Sequence, residues 1–193
     1  MILVVLLVLT IVVYANSLRN PFVIDDQHIV VRNLLLRDWT VSNLVTSHLF
    51  APLGVETQYY RPLTLLTFAI NYGFSELNPL GYHLVNLALH LLVVIVSYLV
   101  FSSFVSPQTA GFSAALFAVH PANIQAVSYI SSRSDPLYTM LTLLVLFCWI
   151  KGHEGRGIGK ILLLSLSLLF FFLGLGAKEV AIVGPALVVL TDL

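Results

Sequence analysis

Two adjacent carboxylates, Asp25 and Asp26, stand in the segment NPFVIDDQHIVVRN. Side chains of neighbouring residues point in different directions, so one of such a pair reaches a site while the other is held by its surroundings. An aspartate near a membrane surface acts as a general base or binds a cation; the plainer use of the pair is to cap a solvated turn. A second group is Arg133 with Asp135, alongside His120. There the arginine would neutralise a phosphate and the aspartate would orient an acceptor or a basic side chain. The bland alternative seats Arg133 among lipid headgroups and makes Asp135, before Pro136, a helix cap. A third is Lys178-Glu179, either a structural ion pair or a holder of lipid phosphate. The fourth is a polar face formed by His83, Asn86 and His90, whose spacing of three and four puts them on one side of a helix. Two histidines seven residues apart are roughly 10 Å apart along the axis, too far for one metal ion. No metal site and no cofactor is expected, and a hydrogen-bonded packing stripe is the simpler reading of that face.

The elements that must position these groups are membrane helices. Of 193 residues, 59% are hydrophobic and 9% charged, against about 25% charged in an ordinary soluble domain. Lys and Arg balance Asp and Glu at nine each, which argues against nucleic acid as a partner, since phosphate-backbone binding wants an excess of basic residues. The single cysteine, Cys148, excludes an intrachain disulfide. The opening run MILVVLLVLTIVVY lacks a basic stretch and a small-residue cleavage site, so it reads as a retained membrane helix.

Six helices are expected, over about 1–16, 79–100, 107–120, 135–150, 161–175 and from 180 onward. Asn78-Pro79 and Ser106-Pro107 are start signals, and Gly184-Pro185 is a bend. The last apolar stretch is short for a crossing, and the chain reads as part of a larger module. Residues 17–79 hold four of the six arginines and five of the nine acids, and read as a long water-facing loop. Within it, Asp38 is expected to cap a short helix burying Trp39, Leu44, Val45 and Leu49. RPLTLLTFAINYGF should form an interfacial helix, too short to span, with Tyr59, Tyr60 and Tyr72 at headgroup depth. The segment ANIQAVSYISSRS is expected to face water.

Residues 151–160 carry Lys151, Arg156 and Lys160 against one acid. The positive-inside rule makes this a cytoplasmic loop. Counting helices from there puts the amino terminus inside, and the 17–79 loop, the 120–135 segment and the Lys178-Glu179 turn outside. The unusual polar groups therefore gather on one face of the membrane, where a cleft would suit a reaction between a lipid-borne substrate and a water-borne acceptor. Each of these polar segments sits at an outer helix end, so Asp25-Asp26, Arg133-Asp135 and Lys178-Glu179 are expected to converge, with 60–75 walling them from lipid and the cations Arg133 and Lys178 pairing with the acids.

Five segments in this order, YANSLRNPFVIDDQHIVVRN, YYRPLTLLTFAINY, NPLGYHLVNLALHLL, FAVHPANIQAVSYISSRSDPLYTM and GAKEVAIVGPALVVLTDL, resemble the amino-terminal membrane part of the GT-C glycosyltransferases that use polyprenyl phosphate. The likeness is strongest to the protein O-mannosyltransferases with transmembrane helices and tetratricopeptide repeats, and to their bacterial cousins. The resemblance implies an all-α, polytopic GT-C-like bundle. It implies inverting transfer of a sugar, mannose for the nearest branch, from a polyprenyl- or dolichyl-phosphate donor to a lumenal or periplasmic acceptor. The acceptor would be a protein Ser or Thr hydroxyl, and the membrane that of the endoplasmic reticulum or a bacterial inner membrane. It places the family's acidic motif on Asp25-Asp26, with Asp25 the preferred base, its second outer motif on His120-Pro121 and Arg133-x-Asp135, and its later motif on Lys178-Glu179. No repeat is visible within the chain. Two other readings stand beside this one: a transporter or lipid flippase using His83, Asn86, His90 and the outer acids as a path, and a non-catalytic membrane scaffold.

Overall fold

The structure is a computed structural model and describes residues 1–37, 40–49 and 59–191. Among the described residues it is all helix and turn. Helix α1 (Ile2–Tyr14) runs on as a 3-10 turn to Arg19, and a π-helical turn covers Gln27–Val31. Then come α2 (Val41–Thr46), α3 (Pro62–Ser75), α4 (Pro79–Phe101), α5 (Pro107–Val119), α6 (Ile124–Ser128), α7 (Ser134–Glu154), α8 (Gly157–Ala177) and α9 (Gly184–Thr191). Among the described residues, four stretches are long and apolar enough to cross a membrane: Ile2–Arg19, Pro79–Phe101, Ile130–Glu154 and Gly157–Ala177. Of the six helices expected, α5 is short, at 13 residues, and Glu179–Thr191 is likewise below spanning length.

Local chemistry starts the helices where the sequence signals lie. Asn78 Oδ1 accepts from the Leu80 amide at 3.1 Å with Pro79 in the first turn, and Ser106 Oγ accepts from the Thr109 amide at 3.3 Å before Pro107. In α2 the cap is Thr40, whose hydroxyl takes the Asn43 amide, rather than Asp38. Asp38 and Trp39 lie outside the described residues, as do the side chains of Leu44 and Val45; Leu49 is buried.

Contacts between helices fix their directions. Leu6 packs with Val94, Ala114 and Ala118, and the Tyr14 hydroxyl donates to the Ala118 carbonyl. Thus α1 and α5 run alongside each other and against α4. A Cβ on Gly111 would fall 2.7 Å from Ile2 Cγ2, so glycine permits that close approach of α1 and α5. Val96 and Val100 meet Leu146, while Ser167 on α8 donates to the Val145 carbonyl on α7. One end of the bundle therefore collects residues 19–26, 79, 120–134 and 178. This is the outer end of the charge-pattern reading.

Helix α3 lies across that end. Thr64 Oγ1 donates to the last carbonyl of α8, Ala177, at 2.9 Å, while Phe68 packs on Tyr82 at the start of α4. Beneath it is an outer core of Ile29, Leu36, Leu49, Leu65, Phe68, Tyr82 and Ile130. In contrast, α8 turns Ile161, Leu162, Leu168, Leu169 and Phe172 outward, as a lipid-facing helix does.

Two sequence expectations need correction. The 151–160 loop is mostly helix, turning only at Gly155-Arg156, because a Lys151–Glu154 ion pair and the Trp149–His153 ring contact carry α7 onward. The segment 122–134 faces water only over its first part, where Ala122, Ile124 and Gln125 are exposed; the rest plugs the outer end, with Val127, Ile130 and Ser131 to Ser134 buried.

Candidate functional site

The backbone turns sharply before the acidic pair. Ile24 sits at φ +44°, a region β-branched residues avoid. The two carboxylates then diverge. Asp26 is buried: one oxygen takes the Ser131 amide (2.8 Å) and the Ser131 hydroxyl, the other the Val23 amide (3.0 Å). With three donors spent on it, this carboxylate ties the first loop to the 130s. Asp25 is half-buried and lines an open cleft of about 300 Å³, shared with Tyr59, Arg61, Gln125, Tyr129, Ser131, Ser132, Ser134, Asp135 and Lys178. Its amide donates to the Tyr129 hydroxyl at 3.0 Å. Burial, the largest influence, pushes the Tyr129 phenol above its ordinary value; the hydrogen bond from the Asp25 amide opposes this and the Asp25 carboxylate adds to it.

Across the cleft two ion pairs join α3, α7 and the α8–α9 turn. Lys178 Nζ pairs with Asp135 and lies 5.6 Å from the Tyr138 ring centroid. Arg61 makes a two-pronged contact with Glu179, Nη2 to Oε1 at 2.7 Å and Nε to Oε2 at 3.1 Å, and reaches Ser134 Oγ. These hydrogen bonds hold the Glu179 carboxyl below its ordinary range, against partial burial. The Arg61 side chain is only 11% exposed and Glu179 is 59% exposed, so the carboxylate is at the rim and the guanidinium faces the cleft.

Asp25, Asp135 and Lys178, far apart in sequence, thus share one cavity. Other residues singled out in sequence do not. Arg133 is fully buried. Its guanidinium donates to Asn86 Oδ1 (2.8 Å), Asn71 Oδ1 (2.7 Å) and the carbonyls of Thr67 and Tyr82 (3.2 Å each), over the Phe68 ring at 4.2 Å. Four of its donors are committed to neutral acceptors from α3 and α4, so among the described residues it pairs with no acid, and it is not part of the cleft lining. His120 is exposed and accepts the Ala122 amide on Nδ1, capping a 3-10 turn. Asp135 is not a cap: it lies one residue inside α7, which has no side-chain cap, and its carboxylate faces Lys178. The α4 face is bonded to backbone carbonyls, His83 to Asn20, Asn86 to Tyr129 and Ile130, and His90 to Ala118. These bonds match the hydrogen-bonded packing stripe, although His83 Nδ1 is buried without a partner among the described residues. Among the described residues, no group of three His, Cys, Asp or Glu side chains is placed to hold a metal ion.

Arg61 and Tyr129 were not marked as site residues by sequence reading. The available signal for Arg61 was its place immediately before the Pro62 start of a helix too short to span.

Fold and cleft define a polytopic α-helical membrane protein with a polar cleft at one end of its bundle. The chain is homologous to the protein O-mannosyl-transferases, as its motifs indicate. It is 34% identical over 143 residues to mouse protein O-mannosyl-transferase TMTC3, covering 72% of this chain and 16% of that protein. It is 35% identical over 134 residues to the human TMTC3 protein, covering 67% and 15%. It is 31% identical over 196 residues to the Drosophila melanogaster Tmtc1 protein, covering 95% and 22%. The chain thus spans less than a quarter of the length of these curated relatives. No family model and no solved structure matches it.

Proposed function

We propose that the protein carrying this region transfers a hexose from a polyprenyl- or dolichyl-phosphate donor to a protein hydroxyl at the outer face of the membrane, with inversion. The observation that carries the reading is one cleft at the outer helix ends in which the half-buried carboxylate of Asp25, beside the Tyr129 hydroxyl, shares its walls with Lys178 and Arg61. Asp25 accepts the proton of a Ser or Thr hydroxyl as its oxygen attacks the anomeric carbon. The bond from that carbon to the phosphate oxygen breaks on the opposite side. The departing polyprenyl phosphate carries the negative charge, which Lys178 and Arg61 neutralise. Lys178 turns from Asp135 to do so, and Arg61 stays anchored by Glu179. Arg133, Asn86 and Asp26 hold the walls in register. The relatives' names favour mannose as the sugar and a protein as acceptor. The outer face is then the lumen of the endoplasmic reticulum or the periplasmic side of a bacterial inner membrane, and residues 1–193 form one membrane unit of a longer GT-C-like module.

The test uses membranes containing the whole protein, a polyprenyl-phosphate mannose labelled in the sugar, and a Ser/Thr-rich protein acceptor. Label appearing on the acceptor with the opposite anomeric configuration supports the reading. Label that crosses the membrane still on its lipid, with none on protein, overturns it.

A further inference from the structure

Behind the cleft lies a second cavity of about 200 Å³. Its floor is His90 and Val93 on α4, and its sides are Phe117, the stretch around the start of α6 (Ala122, Asn123, Gln125 and Ala126), and Pro136, Tyr138 and Thr139 on α7. Two residues, Gln125 and Asp135, line both cavities, so the chambers adjoin across these side chains. The transfer chemistry proposed above engages only the first chamber.

The contents of the second chamber are distinctive for a site at the end of a membrane bundle. It presents a carboxylate (Asp135), two carboxamides (Asn123 and Gln125) and a hydroxyl (Thr139), with the rings of Phe117 and Tyr138 beside them. Asn123 is oriented by donating its amide to the Phe117 carbonyl at 2.6 Å. His90 is held by the Ala118 carbonyl and the Tyr14 ring, 5.2 Å between centroids, so the floor is rigid. Such a lining is a poor seat for a prenyl chain, which would cover the Gln125 carboxamide and the Thr139 hydroxyl without replacing their water. It offers an anionic group no cation: its charged member is acidic, and Lys178 and Arg61 line the other chamber. It does suit a neutral ligand with several hydroxyls and an apolar ring face. The volume is below the roughly 300–1,000 Å³ of pockets for drug-sized ligands, which limits the occupant to about one monosaccharide ring.

We propose that this chamber holds the sugar ring of the lipid-linked donor, with Asp135, Asn123, Gln125 and Thr139 reading its hydroxyls. This rests on the glycosyl-transfer reading. The anomeric carbon then lies at the Asp135–Gln125 divide, its phosphate on the Lys178 side, and the attacking hydroxyl enters from the Asp25 side. Asp135 would thereby join the two events: it releases Lys178 to the phosphate as the sugar hydroxyls take its carboxylate. Gln125, Asn123 and Thr139 are specificity-determining residues, and hexose epimers are told apart by which hydroxyl they leave unpartnered.

The experiment uses membranes containing the whole protein and polyprenyl-phosphate mannose bearing a diazirine on the sugar ring. Irradiation is expected to label peptides covering 117–139, and to label them less when unmodified donor competes. In parallel, Gln125→Ala, Asn123→Ala and Thr139→Val are assayed with mannosyl and glucosyl donors. At least one variant should shift the ratio of kcat/KM for the two sugars by roughly tenfold, the scale of one lost hydrogen bond. Labelling confined to 25–29 and 59–61, or an unchanged sugar ratio in all three variants while the wild type turns over, overturns the subsite. Absence of any turnover by the wild type with either donor refutes the transfer reading instead, and the labelling pattern reports donor seating independently of it.

Discussion

Replacing Arg133 by Met separates a structural cation from a phosphate-binding one. Methionine roughly matches the length of the aliphatic stem and fills the space over Phe68, but it returns none of the four hydrogen bonds to Asn86, Asn71, Thr67 and Tyr82. The Asn86 and Asn71 side-chain oxygens are left without a donor at about 1–3 kcal/mol each, together about 2–6 kcal/mol, while the Thr67 and Tyr82 carbonyls keep their helical amide donors inside α3 and α4. Removing the guanidinium also removes its own desolvation penalty, and the two asparagine amides can turn to other partners. A net loss of about 2–4 kcal/mol remains, a substantial part of the roughly 5–15 kcal/mol that holds a domain together. The assay is thermal stability of detergent-solubilised whole protein, read by fluorescence-detected size exclusion, next to Lys178→Met. Arg133→Met should fall from the monodisperse peak at a much lower temperature than wild type. Lys178→Met should elute and melt nearly as wild type while losing most transfer. An Arg133→Met protein that melts like wild type and fails only in donor binding would refute the structural assignment and return this arginine to the phosphate.

Ile24→Gly should be neutral to mildly stabilising, because it relieves a left-handed backbone at φ +44° whose cost for a non-glycine residue is about 1–3 kcal/mol, offset by the greater freedom of glycine in the unfolded chain; a melting temperature clearly below wild type would show that the exposed Ile24 side chain matters more than its backbone. The Arg61–Glu179 contact lowers the Glu179 carboxyl from its ordinary value, so its stabilisation is complete above the unfolded value of about 4.3 and is lost as pH falls through the lower folded value. Glu179→Gln should therefore lower the neutral plateau of the melting-temperature profile slightly, since the carboxylate is largely exposed, and flatten the acid limb below about pH 4.5 by the same amount, so that the two profiles converge at low pH; an unaltered acid limb would count against the pairing.

The helices were legible where periodicity is local. The Asn-Pro and Ser-Pro starts of α4 and α5 and the short amphipathic α3 follow from a few adjacent residues, and the structure forms all three. The gathering of polar segments at one end followed from alternating crossings and loop charge. Partner choice was not legible. Asp135 before proline satisfies every local rule for a cap, and only a lysine 43 positions away diverts it. Arg133 stands in a run of serines that reads as wet, yet its acceptors come from Asn71 and Asn86, 62 and 47 positions earlier. Arg61 gave the opposite difficulty: it looked like one more loop cation until α3 was laid across the end of α8. The 151–160 segment misled because its glycines and charges mimic a loop, whereas an i,i+3 pair sustains helix through Glu154.

The division of labour between the adjacent carboxylates is tested most directly by comparing Asp25→Asn with Asp26→Asn in the whole protein. Asn is nearly isosteric with Asp but accepts no proton from an attacking hydroxyl. Transfer from polyprenyl-phosphate mannose to protein and thermal stability are measured on the same preparations. Asp25→Asn should melt within a few degrees of wild type and lose transfer by at least the roughly 100-fold attributed to general-base catalysis. Asp26→Asn should melt lower, because its carboxylate accepts from Ser131 twice and from Val23. Asp25→Asn protein that is folded and turns over at the wild-type rate would contradict the account.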